Sequence, residues 1–262
     1  MTTAAEFVSR FRSGEPLVGY WVASDNPVGT ERLARTGYDY VVLDLQHGLM
    51  GYSGMLAGLM AIDAAQGATG FVRVEANDAT PIGKALDAGA TGVIVPLVDS
   101  AEDAARAVAA ARYPGTGGRS YGPMRAGLRV GPDPVQANAT VLVLAMIETA
   151  PGLADVERIA ATPGLDGLYI GPSDLALALG GSSPWDPAVL DERERAIARV
   201  RQACDDAGIV PGIHTPSGEV AHRRLSEGFR FVTVSSDLEH LEAVARGHLD
   251  VARAGQSQVD GA

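Results

Sequence analysis

The chain has 262 residues, of which 46% are hydrophobic and 20% are charged. Its 21 Lys and Arg residues are outnumbered by 32 Asp and Glu residues, which gives a formal net charge of −11. A surface with this charge repels polyanions, which argues against a nucleic acid or an anionic membrane as partner. The length suits one large domain or two smaller ones, and closed α/β barrels commonly reach about 250 residues as one unit.

Lys84 is the single lysine of the chain. A Schiff-base mechanism would have to use that side chain, and we place it in a predicted helix (PIGKALDAG) rather than at the end of a strand. This position favours metal catalysis over imine catalysis. Cys204 is the single cysteine, which excludes an internal disulfide and a zinc site built from several cysteines. We expect it to be a buried, inert thiol in a helix over residues 191–208.

Residues 1–16 have the mixed charges and apolar spacing of a short amphipathic helix, with Phe7 and Phe11 among the apolar positions. The segment lacks the basic start and the apolar run of a signal peptide. The longest unbroken apolar stretch, residues 141–147, is far too short to span a bilayer. We therefore expect a soluble, cytoplasmic protein.

Short runs rich in β-branched residues then recur along the chain, and an Ala-rich segment with helical spacing follows each of them. Most runs are almost continuously apolar, as is typical of parallel strands covered on both faces. Asp99 and Ser100 are predicted to cap a helix over residues 101–112, and Thr215 with Pro216 begins a helical stretch that ends at Gly228. The eight predicted strands are residues 17–23, 40–46, 70–75, 92–98, 141–149, 167–171, 210–214 and 229–235.

Eight strand–helix units in this length predict a (β/α)8 TIM barrel, with residues 1–262 as a single domain. A doubly wound sheet is the alternative architecture, but no G-x-G-x-x-G follows the first strand to support a dinucleotide site. Two connections are long and rich in Gly and Pro, residues 113–136 and 180–187. Loops of this length within a compact domain are usually lids or subunit contacts.

Polar side chains lie at the predicted carboxyl ends of several strands, where the chemistry of such barrels takes place. Each has an ordinary structural explanation when taken alone: for example, a histidine after a strand is more often structural than catalytic. Independent structural roles would not be expected to place all of these groups on one rim. The residues are Asp44, Gln46 and His47 at the end of the second strand, Arg73 on the third, Glu148 and Thr149 on the fifth, Gly171, Pro172, Ser173 and Asp174 at the end of the sixth, and His214 on the seventh.

Glu148 and Asp174 are the expected ligands of a hard divalent cation. Two carboxylates, with water in the other positions, suit Mg2+, Mn2+ or Co2+ in octahedral coordination. Such a metal has positions left for a 2-oxo acid, whose keto group it would polarise to stabilise an enolate. Arg73 would face the substrate carboxylate or the enolate oxygen, and His47 is the side chain best suited to move a proton at neutral pH. Asp87 could hydrogen-bond the His47 imidazole, although a charge on a helix face is its simpler explanation.

The sequence resembles the HpcH/HpaI family of metal-dependent 2-oxo acid aldolases, which includes the 4-hydroxy-2-oxoheptanedioate aldolases, over roughly residues 5–255. These enzymes are barrels that form and cleave carbon–carbon bonds through a pyruvate enolate. No single motif is specific, but the set is highly specific. The motifs are GYDYVVLDLQHG, VRVEANDATPIGKALDAGATGVIVPLV, ARYPGTGGRSYGP, MIETAPGL and GLDGLYIGPSDLALALG.

The resemblance implies a role for each matching position. The family's catalytic histidine and its aspartate partner correspond to His47 and Asp87. The arginine that contacts pyruvate and stabilises the enolate corresponds to Arg73. The metal-binding glutamate and aspartate correspond to Glu148 and Asp174, and the backbone that holds the pyruvate carboxylate corresponds to Ser173. The full set of expected substrate-binding residues is Arg73, Gly171, Pro172, Ser173, Gln46 and His214.

Gln46 and Met146 depart from the family pattern. Many members have Glu at the position of Gln46, where it contacts metal-bound water, and Gln can hydrogen-bond such a water but cannot accept its proton. Many members have Gln at the position of Met146, where it helps to hold the substrate, so we expect a different substrate pocket here. His214 matches a position that is apolar in some members, and it would favour polar or hydroxylated aldehydes.

The resemblance also implies a homo-oligomer, commonly a hexamer built as a trimer of dimers that exchange their C-terminal helices. Residues 238–254 have a helical apolar stripe that fits such an exchange, and that fits equally well a last helix packed on its own barrel. The loop over residues 119–129 would reach a neighbour's active site or remain solvated.

The predicted function is therefore that of a class II metal-dependent aldolase, a carbon–carbon lyase that joins a pyruvate or hydroxypyruvate enolate to an aldehyde or reverses the reaction. One alternative is an acyl-CoA lyase of the citrate or malyl-CoA type, but we find no basic or adenine-binding element for the nucleotide. The other is a barrel that only binds, and the intact set of His47, Arg73, Glu148 and Asp174 argues against it.

Overall fold

The computed structural model describes residues 3–254, in which eight parallel strands close into a barrel. Neighbouring strands in the barrel are also neighbours in sequence, and the first strand pairs with the eighth to complete the cylinder. This order confirms the predicted (β/α)8 fold. The strands are β1 (Leu17–Val22), β2 (Tyr40–Asp44), β3 (Thr69–Arg73), β4 (Gly92–Val95), β5 (Leu142–Ile147), β6 (Gly167–Ile170), β7 (Val210–Thr215) and β8 (Phe231–Ser236).

Helices surround the barrel, and a 3-10 turn at Pro187–Val189 precedes one of them. No helix within residues 3–254 is long and apolar enough to cross a membrane. The helices of this part of the chain are α1 (Ala4–Arg12), α2 (Pro27–Ala34), α3 (Tyr52–Ala65), α4 (Ala79–Asp87), α5 (Ala101–Ala111), α6 (Ala126–Arg129), α7 (Pro134–Thr140), α8 (Ala150–Ala154), α9 (Val156–Ala160), α10 (Pro172–Ala178), α11 (Leu190–Ala207), α12 (Gly218–Ser226) and α13 (Asp237–Ala254).

Side chains that alternate along the strands fill the interior of the barrel, as the pleat requires. Large aromatic rings on some strands need glycine opposite them. A Cβ atom at Gly19 would lie 2.2 Å from the Tyr40 ring, and one at Gly92 would lie 2.2 Å from the Phe71 ring. The interior is therefore a packed core below the carboxyl-end rim and is not an open channel.

Helix α1 closes the amino-terminal end of the barrel. Thr3 and Glu6 form a reciprocal capping box at its start. Phe7 and Phe11 are fully buried, and their rings pack against the aromatic core, with centroids 5.6 Å from Phe71 and 5.4 Å from Phe231 respectively. The predicted amphipathic helix is confirmed over Ala4–Arg12, while its first two residues lie outside the described part of the chain.

Two expectations about single reactive residues are confirmed. Cys204 is buried in α11, and burial raises the pKa of its thiol to about 12, so the sulfur remains protonated and inert. Lys84 is exposed on α4, with its Nζ atom 5.7 Å from the centroid of the Tyr52 ring. It belongs to a helix outside the barrel and not to the end of a strand.

The long connection over residues 113–136 contains more regular structure than the sequence predicted. Helix α6 and the beginning of α7 lie within it. Similarly, Ser217 rather than Thr215 caps α12, since the Ser217 hydroxyl accepts a hydrogen bond from the Val220 N–H while Thr215 is the last residue of β7. The predicted cap at Ser100 is confirmed by its hydrogen bond from the Asp103 N–H.

Candidate active site at the carboxyl end of the barrel

A buried ion pair between Asp44 and Arg73 forms the floor of the site. The two residues end β2 and β3 and stand directly opposite each other in the strand register. Arg73 donates through Nε to Oδ1 at 2.9 Å and through Nη2 to Oδ2 at 2.6 Å, so the pair is bidentate. Burial alone would raise the pKa of Asp44, but the hydrogen bonds and charge of Arg73 outweigh it, and the pKa lies below its ordinary value.

Trp21 from β1 supports both members of this pair. Its indole Nε1 donates to Asp44 Oδ2 at 3.1 Å. The guanidinium carbon of Arg73 lies 4.8 Å from the centroid of its ring, within the range of a cation–π contact. The Arg73 guanidinium is therefore held from two directions, and its orientation is set before any substrate enters.

The same Asp44 carboxylate fixes the turn that presents His47. Its Oδ1 accepts hydrogen bonds from the backbone N–H groups of Gln46 at 3.0 Å and His47 at 3.2 Å. Gly48 allows the turn to close, because a Cβ atom there would lie 2.0 Å from the Asp44 carbonyl oxygen. The His47 side chain is exposed at the rim.

Glu148 lies just past the end of β5 and is buried, with a relative exposure of 3%. Its Oε1 accepts the backbone N–H of Leu97 at 2.8 Å, and Leu97 adopts the left-handed region with φ of 53° to direct that N–H inward. Gly171 faces the other carboxylate oxygen, Oε2, which a Cβ atom there would approach to 3.0 Å. Burial, and then the nearby Asp174 carboxylate, raise the pKa of Glu148.

The donor set at Glu148 and Asp174 fits a divalent cation that prefers oxygen ligands. These carboxylates line a cavity of about 390 Å³ together with Gln46 and His47. The Gln46 Oε1 atom is buried and has no hydrogen-bond partner within residues 3–254, so it is available to a metal-bound water. No group of three or more His, Cys, Asp or Glu side chains in that range is arranged to hold a metal ion by itself.

An adjoining cavity of about 290 Å³ contains most of the other predicted substrate-binding residues. The two cavities share His47 and Asp174, so the structure brings the carboxylates of Glu148 and Asp174 and the Arg73 guanidinium to one rim. Met146, for which the family resemblance implies a different pocket, lines the wall. The predicted site residues on this cavity are His47, Arg73, Gly171, Pro172, Ser173, Asp174 and His214.

His214 lies beside Trp21, with the ring centroids 5.3 Å apart and edge to face. Burial lowers the pKa of His214 to about 4, although the nearby Glu239 carboxylate acts in the opposite direction. The imidazole is therefore neutral at pH 7 and offers one donor and one acceptor to a ligand.

Asp87 is the one predicted site residue that the structure places elsewhere. It is the last residue of α4, which leads back to the amino-terminal start of β4, so it lies at the end of the barrel opposite His47. There its Oδ1 accepts a hydrogen bond from Arg119 Nη2 at 2.6 Å. The hydrogen bond considered between Asp87 and the His47 imidazole is not formed within the described chain.

Asp44 and Trp21 were given no role in the sequence analysis, although both contact the Arg73 guanidinium. The signal for Asp44 was its place in the second strand: a charged residue at the end of an apolar run, at the same level as Arg73. No comparable signal existed for Trp21, because an aromatic residue in a strand is usually part of the core.

Comparison with known proteins places this geometry in a family. The sequence profile described as HpcH/HpaI aldolase/citrate lyase matches residues 17–243. A hydroxypyruvate/pyruvate aldolase from Rhizorhabdus wittichii is 42% identical over 245 residues, which are 93% of this chain and 97% of that protein. A 4-hydroxy-2-oxo-heptane-1,7-dioate aldolase from Klebsiella pneumoniae is 37% identical and covers 88% of this chain and 87% of its own length.

A solved structure gives the same result. The crystal structure of a HpcH/HpaI aldolase/citrate lyase family protein from Burkholderia cenocepacia superposes with a TM-score of 0.85 at 34% identity, covering 95% of this chain and 99% of that one. The named relatives are aldolases, which confirms the predicted enzyme class, a carbon–carbon lyase. Because the profile covers most of the chain and the relatives match nearly all of it, the chain belongs to the HpcH/HpaI aldolase/citrate lyase family.

Proposed function

We propose that this chain is a metal-dependent class II aldolase that adds the enolate of pyruvate or hydroxypyruvate to an aldehyde and catalyses the reverse cleavage. The observation that carries the proposal is the single rim on which the oriented Arg73 guanidinium, the exposed His47 and the carboxylates of Glu148 and Asp174 meet. The 42% identity to a hydroxypyruvate/pyruvate aldolase supports the choice of substrate.

Glu148 and Asp174 would hold a divalent cation such as Mg2+, Mn2+ or Co2+. When bound, the cation supplies Lewis-acid polarisation of the keto oxygen of the 2-oxo acid. Gln46 would position a water through its unpartnered Oε1, but it cannot take that water's proton as a glutamate would. The proton must therefore be carried by another group on the rim.

The protein side chains would orient the 2-oxo acid and move its protons. Arg73 uses Nε and Nη2 for Asp44, so its Nη1 would be the donor available to the carboxylate or enolate oxygen of the substrate. The backbone at Ser173, after Gly171 and Pro172, would hold the substrate carboxylate, as the family resemblance implies. His47 would accept the proton that the carbon next to the keto group loses as the enolate forms, give it to the aldehyde oxygen as the new bond forms, and reverse both transfers in cleavage.

Release of pyruvate from an aldol substrate, with and without a chelator, tests the proposal. We expect chelation to abolish release and added Mn2+ to restore it. Glu148→Gln and Asp174→Asn should lose activity and also lose the rise in melting temperature that Mn2+ gives the parent protein. Lys84→Ala is the matched control, and it should keep both properties. Pyruvate release that is indifferent to chelation, or that needs Lys84, would contradict the proposal.

We also propose a homo-oligomer, a hexamer arranged as a trimer of dimers, that works in the cytoplasm. Helix α13 supports this proposal, because its apolar side chains are exposed in the single chain: Leu241 is 67% exposed and Val244 62%. A second copy would cover this face. The single buried cysteine is in keeping with a reducing compartment, since secreted proteins commonly depend on disulfides.

A further inference from the structure

A further cavity, of about 190 Å³, lies on the far side of His214 from Arg73. It shares Pro172, Ser173, His214 and Glu239 with the catalytic cavity, so the two are adjacent and His214 stands in their common wall. None of the roles proposed above uses the rest of this cavity. Its outer wall is formed by the loop before α11, by the first turn of α11 and by α12.

Arg193, near the start of α11, has a guanidinium group whose charge is poorly compensated. Its side chain is only 13% exposed, and its nearest carboxylate, that of Glu194, is 4.0 Å away. Glu194 is instead bound by Arg224 at 2.7 Å. Arg193 Nη1 donates to the Pro184 carbonyl oxygen at 2.9 Å, but its Nε is buried and has no partner within residues 3–254. A buried donor without a partner requires a ligand or water to satisfy it.

Arg223, on α12, adds a second available positive charge to the same wall. Its Nε lies 3.7 Å from Glu227, whose carboxylate is bound more closely by Arg224 at 2.8 Å. The opposing group on the cavity wall is Glu239, whose Oε2 accepts a hydrogen bond from the Ser235 hydroxyl at 2.9 Å. Arginine side chains therefore outnumber carboxylates on this wall.

We propose that this cavity is a subsite for the anionic tail of the aldehyde substrate, in which Arg193 and Arg223 hold a terminal carboxylate or phosphate. The inference rests on the proposed aldolase function and extends it to a substrate class. The aldehyde carbon would lie in the catalytic cavity beside Arg73, and the tail would pass His214. Trp185, which is 63% exposed and lines the cavity from the 180–187 connection, would cover the tail.

The two arginines suit this task because guanidinium groups bind carboxylate and phosphate through paired hydrogen bonds. They also explain the orientation: an anion held by these arginines lies across the cavity from Glu239 and outside the cavity that contains Glu148 and Asp174, and it does not compete with the 2-oxo acid carboxylate for Arg73. A neutral aldehyde would fill the catalytic cavity but leave both arginines without a partner.

The experiment compares matched aldehydes as acceptors for pyruvate in the Mg2+-loaded protein. Succinic semialdehyde is paired with butanal to test a carboxylate, and glyceraldehyde 3-phosphate is paired with glyceraldehyde to test a phosphate. We expect kcat/KM to favour the anionic member of at least one pair, and that pair identifies the anion. Arg193→Gln and Arg223→Gln should each reduce this preference by roughly 10- to 100-fold, as expected for the loss of a charge-assisted contact.

Arg195→Gln is the matched control, since Arg195 is exposed on the same helix and does not line the cavity. It should retain the parental preference. Arg193 also holds the Pro184 carbonyl, so a folding defect in Arg193→Gln is checked by thermal melting, and Arg223→Gln, at a 55% exposed position, gives an independent result. Equal kcat/KM values within both pairs, or an unchanged preference in Arg223→Gln, would overturn the subsite.

A separate measurement distinguishes this failure from failure of the aldolase proposal. Exchange of the pyruvate methyl protons with deuterated water, followed by NMR, requires no aldehyde. If exchange occurs without any preference for anionic aldehydes, the subsite is wrong and the aldolase proposal is supported. If exchange does not occur, the aldolase proposal itself is contradicted.

Discussion

The carboxylate of Asp44 stabilises two parts of the site at once. It forms the bidentate pair with Arg73, and its Oδ1 also accepts the N–H groups of the turn that carries His47. A substitution that removes only the charge of Asp44 therefore weakens its pairing with Arg73. A substitution that removes the oxygens also releases the turn that carries His47. We regard Asp44 as a positioning residue, because its oxygens are used by protein groups.

Asp44→Asn should separate these effects. The amide oxygen can still accept from the turn, but Arg73 loses its counter-charge in a largely buried place. Breaking such a pair should lower the free energy of unfolding by about 3 kcal/mol, the lower end for buried pairs because Arg73 borders a cavity that water can enter. Misorientation of Arg73 should reduce kcat/KM roughly 100-fold. Urea unfolding and steady-state kinetics measure the two effects.

Arg73→Lys is the comparison for this prediction. It keeps the positive charge beside Asp44 and therefore much of the stability, but it cannot form two parallel hydrogen bonds. We expect a small change in unfolding free energy together with a large loss of kcat/KM. Equal kinetics in Asp44→Asn and the parent protein would show that Asp44 does not orient Arg73.

His214 should make the protein sensitive to acid. Its pKa is about 4 in the folded chain, against about 6.5 in an unfolded one, so the unfolded state gains a proton first as the pH falls. The neutral imidazole makes its full contribution to the free energy of unfolding above pH 6.5. This contribution, about 3 kcal/mol in total, is lost as the pH falls from 6.5 to about 4. Urea unfolding across this range should show the loss in the parent protein.

The control is His214→Gln, which has no charge to gain in this range. The difference in unfolding free energy between the parent and the variant should narrow or reverse as the pH falls through the window. A parallel pH dependence in both proteins would place the acid sensitivity in other groups.

At the scale of elements, helix α1 acts as the base of the barrel. Phe7 and Phe11 complete an aromatic core that the strands alone leave open at that end. Phe7→Ala would leave a cavity where a fully buried ring was, at a cost of roughly 3–5 kcal/mol in unfolding free energy. Chemical denaturation should show this loss, while kcat at a temperature where the protein stays folded should hold, because the rim lies at the other end.

Val28→Ala is a suitable control for this change, because Val28 is 68% exposed on α2. An exposed truncation of this kind should change the unfolding free energy by no more than about 0.5 kcal/mol. If Phe7→Ala were equally harmless, the packing of α1 against the barrel would not contribute to stability.

Most elements could be predicted from the sequence because apolar runs and helix caps depend on nearby residues. The eight strands begin within about two residues of their predicted positions, and the Ser100 cap forms as expected. Helices α6 and α7 were missed, because short segments rich in Gly and Pro have no clear periodicity. Their positions are set by contacts with the barrel, such as the hydrogen bond from the Arg125 N–H to the Asp87 carbonyl oxygen.

The position of the site could be predicted from the sequence, but the contacts within it could not. Residues that directly end a strand, such as Glu148 and His214, could be placed on the rim, because parallel strands in a barrel all end on the same side. The partners of those residues could not be read from spacing. The contact of Trp21 with Arg73 depends on the closure of the barrel, and the pairing of Asp87 with Arg119 depends on which end of the barrel a helix residue reaches.

At the scale of the whole molecule, the position of Asp87 has a consequence for assembly. The family resemblance makes it the partner of the catalytic histidine, yet within one chain it lies at the opposite end of the barrel from His47. Asp87 can be both at this end of its own barrel and a partner of His47 if the two residues belong to different copies. The amino-terminal end of one copy, with Asp87 and the 119–129 segment, would then meet the rim of another. A two-fold dimer satisfies such a contact reciprocally, because the Asp87 of each copy then meets the His47 of the other, and a closed ring of copies satisfies it as well.

Mixing two inactive variants tests this arrangement. His47→Asn removes the base and Asp87→Asn removes its proposed partner, so each homo-oligomer should have little activity. When the two chains are unfolded and refolded together in equal amounts, about a quarter of the sites should combine an intact His47 with an intact Asp87 from a neighbour, and that share of activity should return. Refolding each variant alone is the control for recovery. If His47 and Asp87 acted within one chain, no mixture would contain an intact pair and activity would not return.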